Sequence, residues 1–459
     1  MTKKKRQLVG QIEELLEINE KSRLADLLGR QRSSDIAEVV ELLNNEQRRT
    51  IFDVMDKPAS AEVLEKVDEA TRSELYDLLE DEELRSLISH LSPDDAADVL
   101  SELSEKESTE LLKSIPAAES AQIKGLLRYS EDSAGGIMDP VLISVRENTT
   151  VAETVNKIRQ AEIDEDFFTI FVVNSNDKFL GDVRIRLLLT SREDTMIEQL
   201  MDTDTICVHV DTDQEEVRNI FSKNDLIVVP VLDGTGRLVG RITADRIIEV
   251  AEEEAAEDIY AMAGTDPDEL DKMSALHAAR VRMTWLLPCL AGTAVTACVL
   301  IFFKNFNPYI YAAASAFVPM IAAISGNAGL QTSAIVVSGL ATGHLAAQRL
   351  SQVFARETRT ALLVALSCGI IGAFICTYLP GLFAQPNTAT EASEHLRVAI
   401  AFGTGMFSAI MVATTLGLLL PFLFRKIGID PAISSGPLVT TANDSISVTI
   451  YMTLTLLLI

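Results

Sequence analysis

Residues 435–459 read SGPLVTTANDSISVTIYMTLTLLLI, an apolar run long enough to cross a bilayer, with one carboxylate, Asp444, inside it and no basic residue after it. A span needs about 20 mostly apolar residues. An ionisable group at membrane depth costs about 2.5 kcal/mol or more and normally faces a bundle interior or a water-filled cavity. Counted from Pro431, Asp444 lies thirteen residues in, about 20 Å at a helical rise of 1.5 Å and well inside a hydrocarbon layer roughly 30 Å thick. A protonated Asp hydrogen-bonded to a neighbouring helix would meet that condition, and so would a cation site. Thr440, Thr441, Asn443, Ser445 and Ser447 flank the acid and favour the cation site, because hydroxyls, amides and carbonyls suit a hydrated hard cation better than a soft metal.

Working outward, the stretches 284–303, 308–342, 360–383 and 398–424 also reach span length, and with 432–459 they predict a membrane domain of five helices over 283–459. The second is interrupted by Gly326 and Gly329 in ISGNAGLQTS, which sets Ser325, Asn327, Gln331 and Thr332 beside glycines able to open the backbone. Arg280 and Arg282 precede the first span, Arg349, Arg356 and Arg359 fill the loop after the second, and Arg425 and Lys426 follow the fourth. The other loops carry Lys304 and QPNTATEASEHLR, where Glu391 and Glu394 outnumber Arg397. Basic residues gather on the cytosolic side, so the N-terminus is expected inside, in the cytoplasm, and the C-terminus outside. Small residues recur in AGTAVTA, YAAASA and ISSGPLVTTA, as close helix packing in a membrane requires. Five helices are few for enclosing a water-filled path, so a homodimer with the path between subunits is the economical arrangement.

Charge divides the chain the same way. From Met283 onward there are 7 Lys+Arg against 5 Asp+Glu, which leaves 33 basic and 62 acidic residues ahead of it and a front near −29. That front is unsuited to nucleic acid and suited to cations. The five cysteines are scattered with neither a disulfide framework nor metal-type spacing. MTKKKRQLVGQIEELLEINE lacks the apolar stretch of a signal peptide. No phosphate loop, nucleophile elbow or His/Cys metal cluster is present, and an enzyme is not expected.

Within the front, residues 1–130 read as an all-α domain: DIAEVVELLNNEQ from Asp35 returns as DAADVLSELSEKE from Asp95, with a weaker echo from Ala61. Spacing near 30 residues suggests helical hairpins stacked into a superhelix, with a plain helical bundle as the other reading. Asp94, Asp95 and Asp98 form its most acidic turn. A second repeat follows: IMDPVLISVRENTTVAETVNKIR with FFTIFVVNSNDKFLGDVRIRLLL, then LMDTDTICVHVDTDQEEVRNIFS with LIVVPVLDGTGRLVGRITADRII. The order of entry segment, helix, strand, turn, strand and helix resembles a tandem pair of cystathionine-β-synthase (CBS) domains, here 131–200 and 201–247. The Ser/Thr-x-x-Asp acid that holds a ribose in many such pairs is replaced by Arg246 after Thr243 and by Leu187 in the first copy, so adenine nucleotide binding is not expected. Residues 248–282 then form a connecting helix and linker with Glu249, Glu252, Glu253, Glu254, Glu257 and Asp258. Such a run repels its own dimer mate unless cations screen it, and Mg2+ bridges acidic faces through one or two carboxylates while keeping several waters.

GLLLPFLFRKIGIDPAISSGPLVTTAND, SGNAGLQ, SAGGIMDP and EEEAAEDIYAMAG together resemble the MgtE family of magnesium transporters and channels, over almost the whole chain. The resemblance implies a homodimer in the cytoplasmic membrane that conducts Mg2+ inward along its two-fold axis, closed when cytosolic Mg2+ joins the acidic domains. By motif, Asp444 matches the pore aspartate, Asn327 the asparagine of the GGNAG-type stretch and Asp430 another acidic position of the IDPA motif; Mg2+ is both the transported and the regulatory ion. Ser325 departs from a Gly of that stretch, Ser447 from a Gly after the pore Asp, Ser338 and Gly136 from Arg. These departures bear on selectivity and gating, and they keep open a transporter of Mn2+ or Co2+ and a membrane-tethered divalent-cation sensor without conduction.

Overall fold

Helices of eight to ten residues are marginal alone and need neighbours to bury their apolar faces, and the leading part of the chain is built that way. Its helices are α1 (Lys3–Glu17), α2 (Lys21–Leu28), α3 (Ser33–Val40), α4 (Asn45–Val54), α5 (Lys57–Lys66), α6 (Glu69–Leu78), α7 (Asp81–Ile88), α8 (Pro93–Ser101), α9 (Glu105–Ser114) and α10 (Ala117–Leu126). Asn44, Asp56, Asp68, Ser92 and Ser104 each cap one of them by accepting the backbone N–H three residues on. Helices pack on the one two places along: α1 on α3, α3 on α5, α5 on α7 and α7 on α9, with α2, α4 and α6 beside them and α8 on α10. That is a stacked superhelix. The repeated motif falls at matching places, burying Ile36, Ala37, Val39 and Val40 in α3 and Ala96, Ala97, Val99 and Leu100 in α8. This computed structural model describes the chain apart from residues 1–2, 19, 162–166, 267–274, 343–344, 346–349, 379–388, 435 and 459.

Two near-copies follow, β1 (Ser144–Arg146), α11 (Val151–Gln160), β2 (Thr169–Val173), β3 (Phe179–Arg184) and α12 (Ile185–Thr190), then β4 (Val208–His209), α13 (Gln214–Asn224), β5 (Val228–Leu232), β6 (Leu238–Thr243) and α14 (Ala244–Ala263). In each a parallel strand pair is continued by an antiparallel one. Both antiparallel ladders slip at corresponding places, Val172/Val173 and Val231/Leu232. The first copy has its own core around Val145, Ile170, Val172 and Val183. The second shares a core with the ten helices through Val208, Val217, Val229 and Val250. Arg241 of β6 pairs with Asp139 just before the first copy, Nε and Nη2 both 2.8 Å from Asp139 Oδ2, and both residues are buried. Their backbones also exchange two hydrogen bonds of 2.8 Å.

The chain divides into two compact units, 1–252 and 253–459. The second holds α15 (Ala275–Phe306), α16 (Pro308–Ala314), α17 (Val318–Ala341), α18 (Leu350–Tyr378), α19 (Ala389–Lys426) and α20 (Pro437–Leu458). α19 packs against α17, α18 and α20, and α15 packs mainly on α20. Glycine permits the tightest crossings: a Cβ on Gly417 of α19 would stand 2.2 Å from Gly329 O of α17, and one on Gly292 of α15 would stand 2.0 Å from Thr441 Cγ2 of α20.

The structure bears on several expectations. Among the described residues four helices are long and apolar enough to cross a membrane, covering Ala275–Phe306, Pro308–Ala341, Ser351–Tyr378 and Leu396–Lys426. α20 is not among them, because Thr440, Thr441, Asn443, Asp444, Ser445 and Ser447 dilute its apolar run. The interruption of the second span lies at the 3-10 turn Ser315–Phe317, whereas α17 runs unbroken through Gly326 and Gly329; Gly329 serves close packing, a Cβ there falling 3.1 Å from Ala413 O. The acidic helix begins at Ala244, without a break from the second CBS copy. Arg349 lies outside the described residues, and Glu391 and Glu394 fall within the backbone of α19.

Candidate cation site

Asp444 sits seven residues into α20, about 10 Å along the helix; the 20 Å counted from Pro431 is too deep because Ala432–Ser434 form a 3-10 turn ahead of it. The carboxylate is half-buried and faces Gly326 of α17. A Cβ there would lie 3.8 Å from Asp444 Oδ1 and 3.7 Å from Thr440 Cγ2, ordinary van der Waals contact. Thr440 stands one turn before Asp444 on the same side, and its hydroxyl donates to Pro437 O at 3.0 Å. Asn327 and Gln331 are exposed on α17, while Thr332 is buried and donates to Ala328 O. Asp430 lies exposed in the turn before α20, where its Oδ1 accepts the Ala432 N–H at 2.8 Å. The structure therefore gathers Asp444, Thr440 and Gly326, and Asp430 acts as a local turn acceptor.

A buried carboxylate of the second unit also escaped sequence reading. Glu357 of α18 is 5% exposed and accepts from the Arg356 guanidinium at 3.1 Å. Its sequence neighbours Arg356 and Arg359 had marked it as a loop.

In α14, Glu249, Glu252, Glu253 and Glu257 are exposed and recur at helical spacing on one face, while Glu254 and Asp258 are half-buried. The helix ends in a left-handed cap: Gly264 has φ +76°, its N–H reaches Ala261 O, and the Thr265 N–H reaches Tyr260 O. That end abuts the start of α20. A Cβ on Gly436 would fall 2.1 Å from Met262 O, and one on Gly264 would fall 3.1 Å from Pro437.

In the first unit, Ser92 Oγ stands 2.6 Å from a carboxylate oxygen of Asp94 and 2.6 Å from one of Asp95. Asp98 pairs with Arg246 at 2.8 Å, and Arg246 also reaches Glu249 at 3.1 Å. Glu65, paired with Lys66 at 3.0 Å, is held above the usual carboxylate range by burial and by the charges of Asp95 and Glu249. Glu65 and Arg246 thus join the expected acids from distant parts of the sequence. Among the described residues no three His, Cys, Asp or Glu side chains form a metal-ligating cluster, and Lys66 and Arg246 supply positive charge within the acidic patch.

Burial, then the charges of Asp95 and Asp139, pushes Asp94 up to about 7. An unfolded chain ionises Asp near 4, so between those values the folded state holds the extra proton and stability falls as pH rises. The melting temperature of the first unit is expected to drop between pH 5 and pH 7.5, and Asp94→Asn to flatten that drop; an equal slope in the variant would assign it to other groups.

Comparison with known proteins follows the same division. The MgtE intracellular N domain matches residues 31–132, CBS domains match 134–193 and 197–253, and the MgtE divalent cation transporter domain matches 318–454. The magnesium transporter MgtE of Thermus thermophilus is 33% identical over 346 residues, 74% of this chain and 73% of the relative. The chain belongs to the MgtE family. MgtE of Enterococcus faecalis is 32% identical over 72% of this chain and 70% of its own length. A crystal structure of the cytosolic domain of the Mg2+ channel MgtE in complex with ATP superposes with a TM-score of 0.51 at 30% identity, covering 53% of this chain and 99% of that one. The matched transporter domain contains both Gly326 and Asp444. The ATP in that neighbour weighs mildly against the expectation of no nucleotide.

Proposed function

We propose that this MgtE family member carries Mg2+ into the cell across the cytoplasmic membrane, through a path that passes Asp444. The observation that carries the reading is the Asp444 carboxylate, half-buried in an apolar helix and turned to a glycine of the neighbouring one within the matched transporter domain. A hydrated Mg2+ suits such a site because it keeps its waters and needs only one or two carboxylates. The relatives named magnesium transporters support Mg2+ over Mn2+ or Co2+ and over a sensor without conduction.

In this reading α20, at 22 residues about 33 Å long, is the fifth span. The N-terminus is cytosolic, the C-terminus lies outside, and two subunits place paired Asp444 carboxylates along a shared axis. Regulatory Mg2+ binds the α14 face and the Asp94, Asp95 and Asp98 turn, in competition with Arg246 and Lys66, and closes the path. Closure follows mass action, since Mg2+ favours the closed state only as far as it binds that state more tightly.

The test is Mg2+ entry into proteoliposomes loaded with a Mg2+-sensitive dye, at low and high Mg2+ on the cytosolic-domain side. Entry at low Mg2+ that falls at high Mg2+ is expected, and a protein that passes no divalent ion would sink the reading. Replacing Glu252, Glu253, Glu254 and Glu257 together with Gln is expected to shift the inhibition curve severalfold. An unchanged curve would count against the α14 face as sensor.

A further inference from the structure

Ser325 on α17 and Asn443 and Ser447 on α20 have no exposed surface, and they satisfy one another. The Asn443 amide donates to Ser325 Oγ at 2.8 Å, the Ser447 hydroxyl donates to Asn443 Oδ1 at 2.8 Å, and the two serine oxygens stand 3.1 Å apart. The Ser325 hydroxyl itself donates to Ile321 O at 2.7 Å. With every polar atom engaged and no surface exposed, none of the three is placed to touch a passing ion. Each is nevertheless tied to the ion site. Asn443 precedes Asp444 in the chain, and Ser325 precedes Gly326, whose open face lies against the Asp444 carboxylate. In sequence, Ser325 and Ser447 are two separate departures from the family pattern, 122 residues apart; in the fold they are one contact.

We propose that Ser325, Asn443 and Ser447 form a positioning clasp that fixes the Asp444 carboxylate against α17, and so tunes the preference for Mg2+ over Ca2+. The proposal rests on Asp444 being the ion site. Mg2+ demands tight octahedral geometry and sheds water reluctantly, whereas Ca2+ accepts six to eight oxygens in flexible arrangements. A carboxylate held still favours the ion that stays hydrated. One that can swing toward the ion favours Ca2+, which accommodates direct carboxylate ligation. Discrimination is a difference between two affinities, so a clasp that restrains the carboxylate acts on the ratio even without touching either ion.

Interhelical hydrogen bonds in membranes are each worth about a threefold change in an equilibrium. Full-length protein in liposomes should therefore show a Mg2+/Ca2+ entry ratio reduced roughly threefold to tenfold in Ser325→Ala and in Ser447→Ala. The double variant should lose less than the sum of the two single losses, because each single change already breaks the network centred on Asn443. A merely structural role would lower entry of both ions together and leave the ratio alone. If an alanine variant fails to reconstitute, Ser325→Gly and Ser447→Gly, the residues of the family pattern at these positions, remove the same hydroxyls and the same ratio is read. Asp444→Asn is run alongside. Entry at the wild-type rate in Asp444→Asn overturns the ion-site reading and the proposal with it. Where Asp444 is required, a ratio unchanged or raised in the serine variants, or additive losses in the double, overturns the clasp alone.

Discussion

In the Asp444→Asn protein, Mg2+ entry is expected to fall more than tenfold while the protein still reconstitutes normally. Asn has nearly the shape of Asp, and the interhelical hydrogen bonds of α20 run through Asn443, Ser445 and Ser447, so the helix keeps its packing. What changes is charge. A unit charge about 5 Å from a divalent ion, at an effective dielectric near 20, is worth on the order of 5 kcal/mol. Only about 1.4 kcal/mol of that need survive in the rate-limiting step for a tenfold loss. Asp444→Glu keeps the charge on a longer arm and is expected to fall between the two. Asn327→Ala, at an exposed position of α17, is expected to have a smaller effect than Asp444→Asn. Wild-type entry in Asp444→Asn would remove the carboxylate from the path.

Asp139→Ala is the second large effect, and it concerns stability. The change leaves the Arg241 guanidinium buried without the carboxylate that both Nε and Nη2 address. Breaking a buried pair from one side typically costs about 3–5 kcal/mol, which for a unit of this size lowers the melting temperature by on the order of 10 °C. Replacing both partners, as Asp139→Leu with Arg241→Met, is expected to recover much of that loss, because no charge is then stranded. The comparison is made on the thermal transition of the cytosolic unit in the detergent-solubilised protein. A double variant as unstable as the single one would place the cost in packing around β6.

Much of this fold was legible in sequence because its signals are local. The CBS copies announce themselves by paired apolar strands around polar turns, NSNDK and DGTGR, and α3 and α8 by one buried pattern at equal offsets. Asp444 stood out because a charge in an apolar run has few explanations. What sequence left ambiguous is glycine: an opened backbone and a close helix crossing both require the missing Cβ, and only the approach of Gly417 to Gly329 shows which applies in α17. The start of α20 was misjudged for a related reason, since Pro431 is followed by a 3-10 turn that apolar composition does not distinguish from helix. Glu65, Arg246 and the Asp139–Arg241 pair were invisible as partners, 102 residues separating the last two. The serines were noticed singly and their meeting was not, for the same want of distance information.

The contact between Met262 and Gly436 has a mechanical consequence. Most helix ends meet their neighbours through side chains, which act as soft springs and absorb a displacement by changing rotamer. Here backbone meets backbone, with no Cβ between them to yield, and the Gly264 cap fixes the direction in which α14 terminates. In the gating reading proposed above, a shift of a few tenths of an ångström at Met262 would reach the first turn of α20, two turns before Asp444, with little side chain to absorb it. Such a joint needs no large swing of the connector to be felt at the carboxylate, and stiffness rather than amplitude is the quantity on which the speed and sharpness of its response depend.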